Sequence, residues 1–155
     1  MSALRFGIVG TGGMAGYHAP RIQSHPETEL VALCDLSEEI VNGFIERHLA
    51  DATQKIEIFA NSQEMFDAVD LDVVLIATPH TLHFEHGMQA LAAGCHVYME
   101  KPMVTDTAQA YALKAEAEKQ GKVLIIGYNT PCSASFDAIR KVIRDGSFGK
   151  LELVS

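Results

Sequence analysis

Gly10, Gly12 and Ala15, with Asp35 twenty residues further on, are the positions whose types and spacing most invite chemistry. Residues 7–15 read Gly-Ile-Val-Gly-Thr-Gly-Gly-Met-Ala, a short apolar strand running into a turn spaced G-x-G-x-x-A. Gly10 permits a tight strand-to-helix turn, and Gly12 lets a pyrophosphate approach the backbone. Ala15 is small enough for the next helix to lie on a sheet. Thr11, Gly13 and Met14 complete the loop. The free N–H groups and partial positive charge at that helix start would hold phosphate oxygens. Asp35 ends the following apolar run, where an acid accepts hydrogen bonds from the hydroxyls of an adenosine ribose. Its charge would repel a 2′-phosphate, so the pattern favours NAD over NADP, and Leu36 and Ser37 bring no arginine to reverse that. Without the glycine turn, Asp35 would simply be a loop acid opening the next helix.

Two further clusters follow apolar runs. Thr78-Pro79-His80-Thr81-Leu82-His83 comes directly after residues 73–77, at the end of a strand where open α/β sheets place ligands. His80, His83 and His86 raise a metal reading. Helical steps of three, however, put the outer two about 240° apart around a helix, and no metal is expected. Glu100-Lys101-Pro102 follows residues 96–99. A lysine at a strand's carboxyl end could polarise a substrate oxygen or help move a proton, and a cis Lys101–Pro102 bond would aim it. Alone, the tripeptide equally describes a surface turn.

These clusters need a scaffold, and the chain supplies the pattern of one. Candidate strands lie at 5–9, 30–34, 56–59, 73–77, 96–99 and 123–126, alternating with candidate helices at 13–23, 38–49, 63–69, 82–93 and 107–120. Ser37, Ser62 and Thr105 stand where N-caps belong, and Gly94 and Gly121 where helices should end. Such alternation predicts an α/β fold, a doubly wound parallel sheet of the Rossmann kind, with its ligand crevice beyond the first strand. Pro20 falls inside the first helix and should kink or break it near Ala19. A last helix at 133–145 leads through a glycine turn to residues 151–154, which read as the opening strand of a second domain.

With 155 residues, 48% of them hydrophobic and 21% charged, the chain suits one soluble core plus a piece of another. A formal net charge of −8 argues against nucleic acid or an anionic membrane as partner. No apolar run reaches membrane-spanning length, and the immediate entry into a strand leaves no room for a secretory signal, so the cytoplasm is the expected location. Three cysteines without metal-type spacing read as small buried hydrophobes.

Taken together, Gly10–Ala15, Asp35, Ala77-Thr-Pro-His80 with His83, Gly94-Cys-His-Val-Tyr-Met-Glu-Lys-Pro102 and Gly127-Tyr-Asn129 occur in an order that closely resembles the N-terminal domain of the glucose–fructose oxidoreductase/inositol dehydrogenase/MocA family. The resemblance implies a cofactor-binding domain over residues 1–128. It also implies that 129–155 form a linker helix and the start of an α+β substrate domain largely absent from this chain. Gly10, Thr11, Gly12, Gly13, Met14 and Ala15 would then hold the pyrophosphate, and Asp35 the adenosine ribose. Thr78, Pro79, His80 and His83 would line the cofactor trough, with His80 replacing a common asparagine. Glu100 would approach the nicotinamide ribose, Asn129 the nicotinamide end, and Lys101 the reacting centre as catalytic residue. The implied activity is NAD(P)-dependent hydride transfer to or from a hydroxyl-bearing carbon of a sugar, cyclitol or related polyol. The acid/base residue, and any homo-oligomer contact, would belong to the missing sheet. Alternatives are a non-catalytic NAD(P)-binding module or redox sensor, and a similar fold holding another adenine-containing ligand.

Overall fold

The computed structural model describes residues 2–129, 132–147, 149–150 and 152. Its centre is a six-stranded, wholly parallel sheet. The strands are β1 (Leu4–Val9), β2 (Thr28–Cys34), β3 (Glu57–Phe59), β4 (Val73–Ile76), β5 (His96–Met99) and β6 (Leu124–Ile126). Their spatial order is β3-β2-β1-β4-β5-β6, so the chain builds outward from β1 in one direction and then returns to β1's other side. That reversal is the topological switch point at which such sheets bind ligands.

Successive side chains on each strand face opposite sides, and both sides are covered, which is why the central strands are apolar throughout. Ile8, Leu30, Leu33 and Leu75 pack with Ala15 and Ala19 of α1 (Gly13–Ser24) and with Val41 and Phe44 of α2 (Glu38–His48). On the other face, Val9, Val74, Ile76 and Met99 join Met65 of α3 (Ser62–Ala68), Leu91 of α4 (His83–Ala92) and Leu113 of α5 (Thr107–Gln120). The helix α6 (Ala134–Arg144) has no buried residue among those described, and its Ile139 and Ile143 are exposed.

Three local expectations are corrected. Helix α1 runs unbroken through Pro20. The proline removes one backbone hydrogen bond, to the Gly16 carbonyl, but Ala15 and Ala19 before it and the partly buried Ile22 after it pack in the core and hold the helix against the sheet. Two caps lie one residue away from the expected positions. Asn61, not Ser62, caps α3, its Oδ1 accepting from the Gln63 and Glu64 amides at 2.8 and 3.2 Å. Asp106, not Thr105, does the same for α5 with Ala108 and Gln109. Ser62 instead turns inward and donates to Gln89 Oε1 at 2.7 Å, tying α3 to α4. Ser37 caps α2 as expected, and α4 and α5 stop just ahead of Gly94 and Gly121. Most of the expected final strand at 151–154 lies outside the described residues.

Candidate functional site

The sheet order sets the carboxyl ends of β2, β1, β4, β5 and β6 side by side. They carry Asp35, Gly10, Thr78, Glu100 with Lys101, and Asn129 in that spatial order. Four strand spacings of about 4.8 Å make the row roughly 19 Å long. A cavity of about 430 Å³ opens over the first part of it, lined by Gly10, Gly12, Asp35, Leu36, Thr78 and Pro79. Asn61, Gln63, Glu85 and His86 complete its walls. Neither lysine nor arginine lines it among the described residues; its carboxylates are Asp35 and Glu85.

The glycine turn is built by two different constraints. Gly10 has φ +91°, and an added methyl would lie 2.7 Å from the Ala77 carbonyl carbon and the Thr78 amide nitrogen. The turn after β1 is therefore pressed against the end of β4, and only glycine fits. At Gly12 an added methyl would meet nothing within 4 Å. No contact among the described residues requires that position to be bare. Gly12 is also the N-cap of α1, which lacks both a side-chain cap and a first-turn acid, whereas Ser37, Asn61, Asp106 and Ser133 cap α2, α3, α5 and α6. The amides of Gly13, Met14 and Ala15, which have no acceptor within the helix, are thus left for an anion. Open space, orphan donors and a partial positive charge fit a diphosphate. Ala15 itself is fully buried beneath the turn, and Met14 is half exposed.

Asp35 is already engaged. Its Oδ2 accepts from the Thr11 amide at 2.6 Å and the Thr11 hydroxyl at 2.7 Å, and its Oδ1 accepts from the Leu36 amide. Burial pushes this carboxyl up, but those three hydrogen bonds more than offset it and hold it below the usual carboxylate range. Two oxygens offer about four acceptor positions, so the anion can still receive a ribose hydroxyl. Thr11 is buried and bound to Asp35, which makes it a brace for the acid with no donor left for a phosphate. In the far wall, Thr78 Oγ1 lies 3.1 Å from His86 Nδ1, and burial holds His86 below the usual histidine range, so the wall carries no added positive charge.

Beyond the cavity, Glu100 is buried, 6% exposed, while Lys101 is exposed with its ammonium unpaired among the described residues. The Lys101–Pro102 bond is cis. Asn129 is exposed at the end of the row, and His80 is exposed outside the cavity lining. His83 departs from expectation. It is fully buried and does not line the cavity; its Nδ1 lies 2.8 Å from the Pro102 carbonyl and its Nε2 2.9 Å from the Thr78 carbonyl. Both His83 ring nitrogens face backbone carbonyls, whereas His86 Nδ1 faces the Thr78 hydroxyl.

One partner was not read from the sequence. His18 of α1 reaches across to Glu100, with Nε2 2.9 Å from Oε1, and Tyr17 and Tyr98 set their rings edge-on to it. A pair 82 residues apart leaves no local signal. Position alone hinted at it: His18 is one turn into the helix that starts at the glycine loop.

A family model described as an oxidoreductase family with an NAD-binding Rossmann fold, GFO_IDH_MocA, matches residues 4–128. The chain belongs to this family. Among curated relatives of the Gfo/Idh/MocA domain, a D-glucoside 3-dehydrogenase of Escherichia coli is 33% identical over 97% of this chain and 42% of its own length. A scyllo-inositol 2-dehydrogenase (NADP(+)) of Bacillus subtilis is 30% identical over 95% of this chain and 39% of its own. The WlbA dehydrogenase of Bordetella pertussis, solved in complex with NADH and UDP-GlcNAcA, superimposes with a TM-score of 0.85 at 27% identity. That match covers 96% of this chain and 44% of WlbA. The chain thus spans about two fifths of the length of these relatives. Membership makes this an NAD-binding Rossmann domain of an oxidoreductase family and favours that reading over a non-catalytic sensor.

Proposed function

We propose that residues 1–128 are the cofactor half of a cytoplasmic dehydrogenase that moves hydride between NAD and a hydroxyl-bearing carbon of a sugar, cyclitol or related polyol. Residues 129–155 would lead into the substrate half, which fits the absence of buried residues on α6 among those described. The observation that carries the reading is Gly12, bare for no reason of packing, at the uncapped start of α1 and in line with Asp35, Thr78, Glu100 and Lys101. The relatives' names supply the substrate class.

Each residue then has a stated task. The amides of Gly13, Met14 and Ala15 hold the diphosphate, Asp35 takes an adenosine ribose hydroxyl, and Thr78 and Pro79 form the trough. Bound along this row, the nicotinamide supplies the hydride acceptor. Glu100, buried and held by His18, has acceptor positions left for the nicotinamide ribose. Lys101 stabilises the oxygen that gains negative charge as hydride leaves its carbon, while an acid/base residue of the substrate half takes the hydroxyl proton. Asp35 and Glu85 in the cavity, without a lysine or arginine beside them among the described residues, favour NAD over NADP.

Titration of the chain with NAD, NADP and S-adenosylmethionine, followed by thermal unfolding, tests this. NAD should raise the midpoint by several degrees at about 100 times its dissociation constant, which corresponds to about 2.7 kcal/mol. NADP should raise it less, and S-adenosylmethionine should leave it unmoved. A larger rise with S-adenosylmethionine than with NAD would overturn the assignment.

A further inference from the structure

His83 is the most fully buried ionisable side chain described, and the functional row does not use it directly. Its neighbours make its position informative. Thr78, whose carbonyl faces Nε2, walls the cavity after β4; Pro102, whose carbonyl faces Nδ1, immediately follows Lys101 after β5. The ring therefore sits between the loop that meets the adenosine end of a ligand and the turn that carries the ammonium group. A buried ring needs partners for its nitrogens whatever its role, and here two different loops supply them.

We propose that His83 is a positioning residue that ties the cavity wall to the lysine turn, so that filling the adenosine and diphosphate end of the crevice sets where Lys101 stands. A carbonyl oxygen only accepts, so holding both carbonyls takes an N–H on each ring nitrogen. The two bonds, at 2.8 and 2.9 Å, have ordinary hydrogen-bond lengths. The ring is anchored behind as well: it opens α4, whose next turns are packed into the core through Gly87, Ala90 and Leu91. On this reading, a shift of the Thr78 carbonyl passes through the ring to Pro102. The tie rests on the NAD-binding reading above.

Adenosine diphosphate is the probe of choice, because it fills the cavity and glycine turn and stops short of Lys101. In nitrogen-15 spectra of the intact chain, both His83 ring nitrogens should show the signature of proton-bearing nitrogens. Adding the diphosphate should shift the amides of Gly12 and Gly13 directly, and those of Lys101 and Met103 through the tie. In His83→Phe the first pair should still shift, while the second response falls about threefold or more. His83→Asn provides a second variant should the phenylalanine fail to fold. One bare ring nitrogen, or an undiminished Lys101 response in the variant that folds, overturns the tie. Absence of any shift at Gly12 and Gly13 in the parent chain instead overturns the NAD-binding reading, and the ring nitrogens still decide the tie on their own.

Discussion

At Gly10 a methyl group would be driven into the Ala77–Thr78 peptide, and backbone at the end of a central strand cannot step aside. The left-handed backbone there adds about 1–2 kcal/mol for any L side chain. Gly10→Ala should therefore cost more than about 2 kcal/mol of stability, read from denaturant unfolding. Gly12→Ala should behave in the opposite way. Its methyl meets only open space, so unfolding should change by less than about 1 kcal/mol. NAD affinity should fall at least about tenfold, because the methyl occupies the approach of the diphosphate. A Gly12→Ala chain that binds NAD normally by calorimetry would show that the bare backbone serves no ligand. The two glycines and their separate tasks were legible from the motif, but the contacts behind those tasks were not. Those depend on β4 pressing against one of them and nothing pressing against the other. His83 teaches the same lesson in reverse. Its place after Thr78-Pro79 suggested contact with the cofactor, yet a side chain at the first turn of α4 points back under the loop, into the core.

The elements were read from hydrophobic period with errors of one or two residues at their ends, since buried strands and amphipathic helices leave strong local marks. Their caps depend on which side chain reaches two amides at once, and there a neighbouring residue can win. Asp106 reaches both Ala108 and Gln109 with one oxygen, whereas Thr105 is exposed beside it. Asp106→Ala should lower stability by about 1 kcal/mol and Thr105→Ala by a few tenths at most, as midpoint shifts in urea would show. The break expected at Pro20 is absent for a related reason. A local rule priced its missing N–H, but the helix is kept by burial of Ala15 and Ala19, which no local window weighs. The His18–Glu100 pair and the Thr11–Asp35 brace were out of reach altogether. Each needs the sheet order before its partners become neighbours.

Across the whole molecule, buried ionisable groups shape the pH range over which the fold holds. Asp35 is held below its ordinary range in the fold, so the unfolded chain binds that proton more readily. Its contribution is fully present above about pH 4 and is lost as pH falls through the folded value. His86 is also held low by burial, so the unfolded chain takes up its proton first and stability begins to fall below about pH 6.5. The thiols act at the other end. Burial, then the nearby carboxylates Asp35 and Glu64, push Cys34 up to about 11, and burial foremost pushes Cys95 to about 11. Above about pH 8.5 the unfolded chain releases these protons while the fold retains them, so stability falls again. Urea unfolding should accordingly show a plateau between about pH 7 and 8 with a decline on each side. Cys95 lies away from the crevice with its thiol 3.4 Å from the Leu71 carbonyl, so Cys95→Ala should flatten the alkaline decline and leave the acid one as it was. An alkaline limb unchanged in that variant would show that the buried thiols do not govern it.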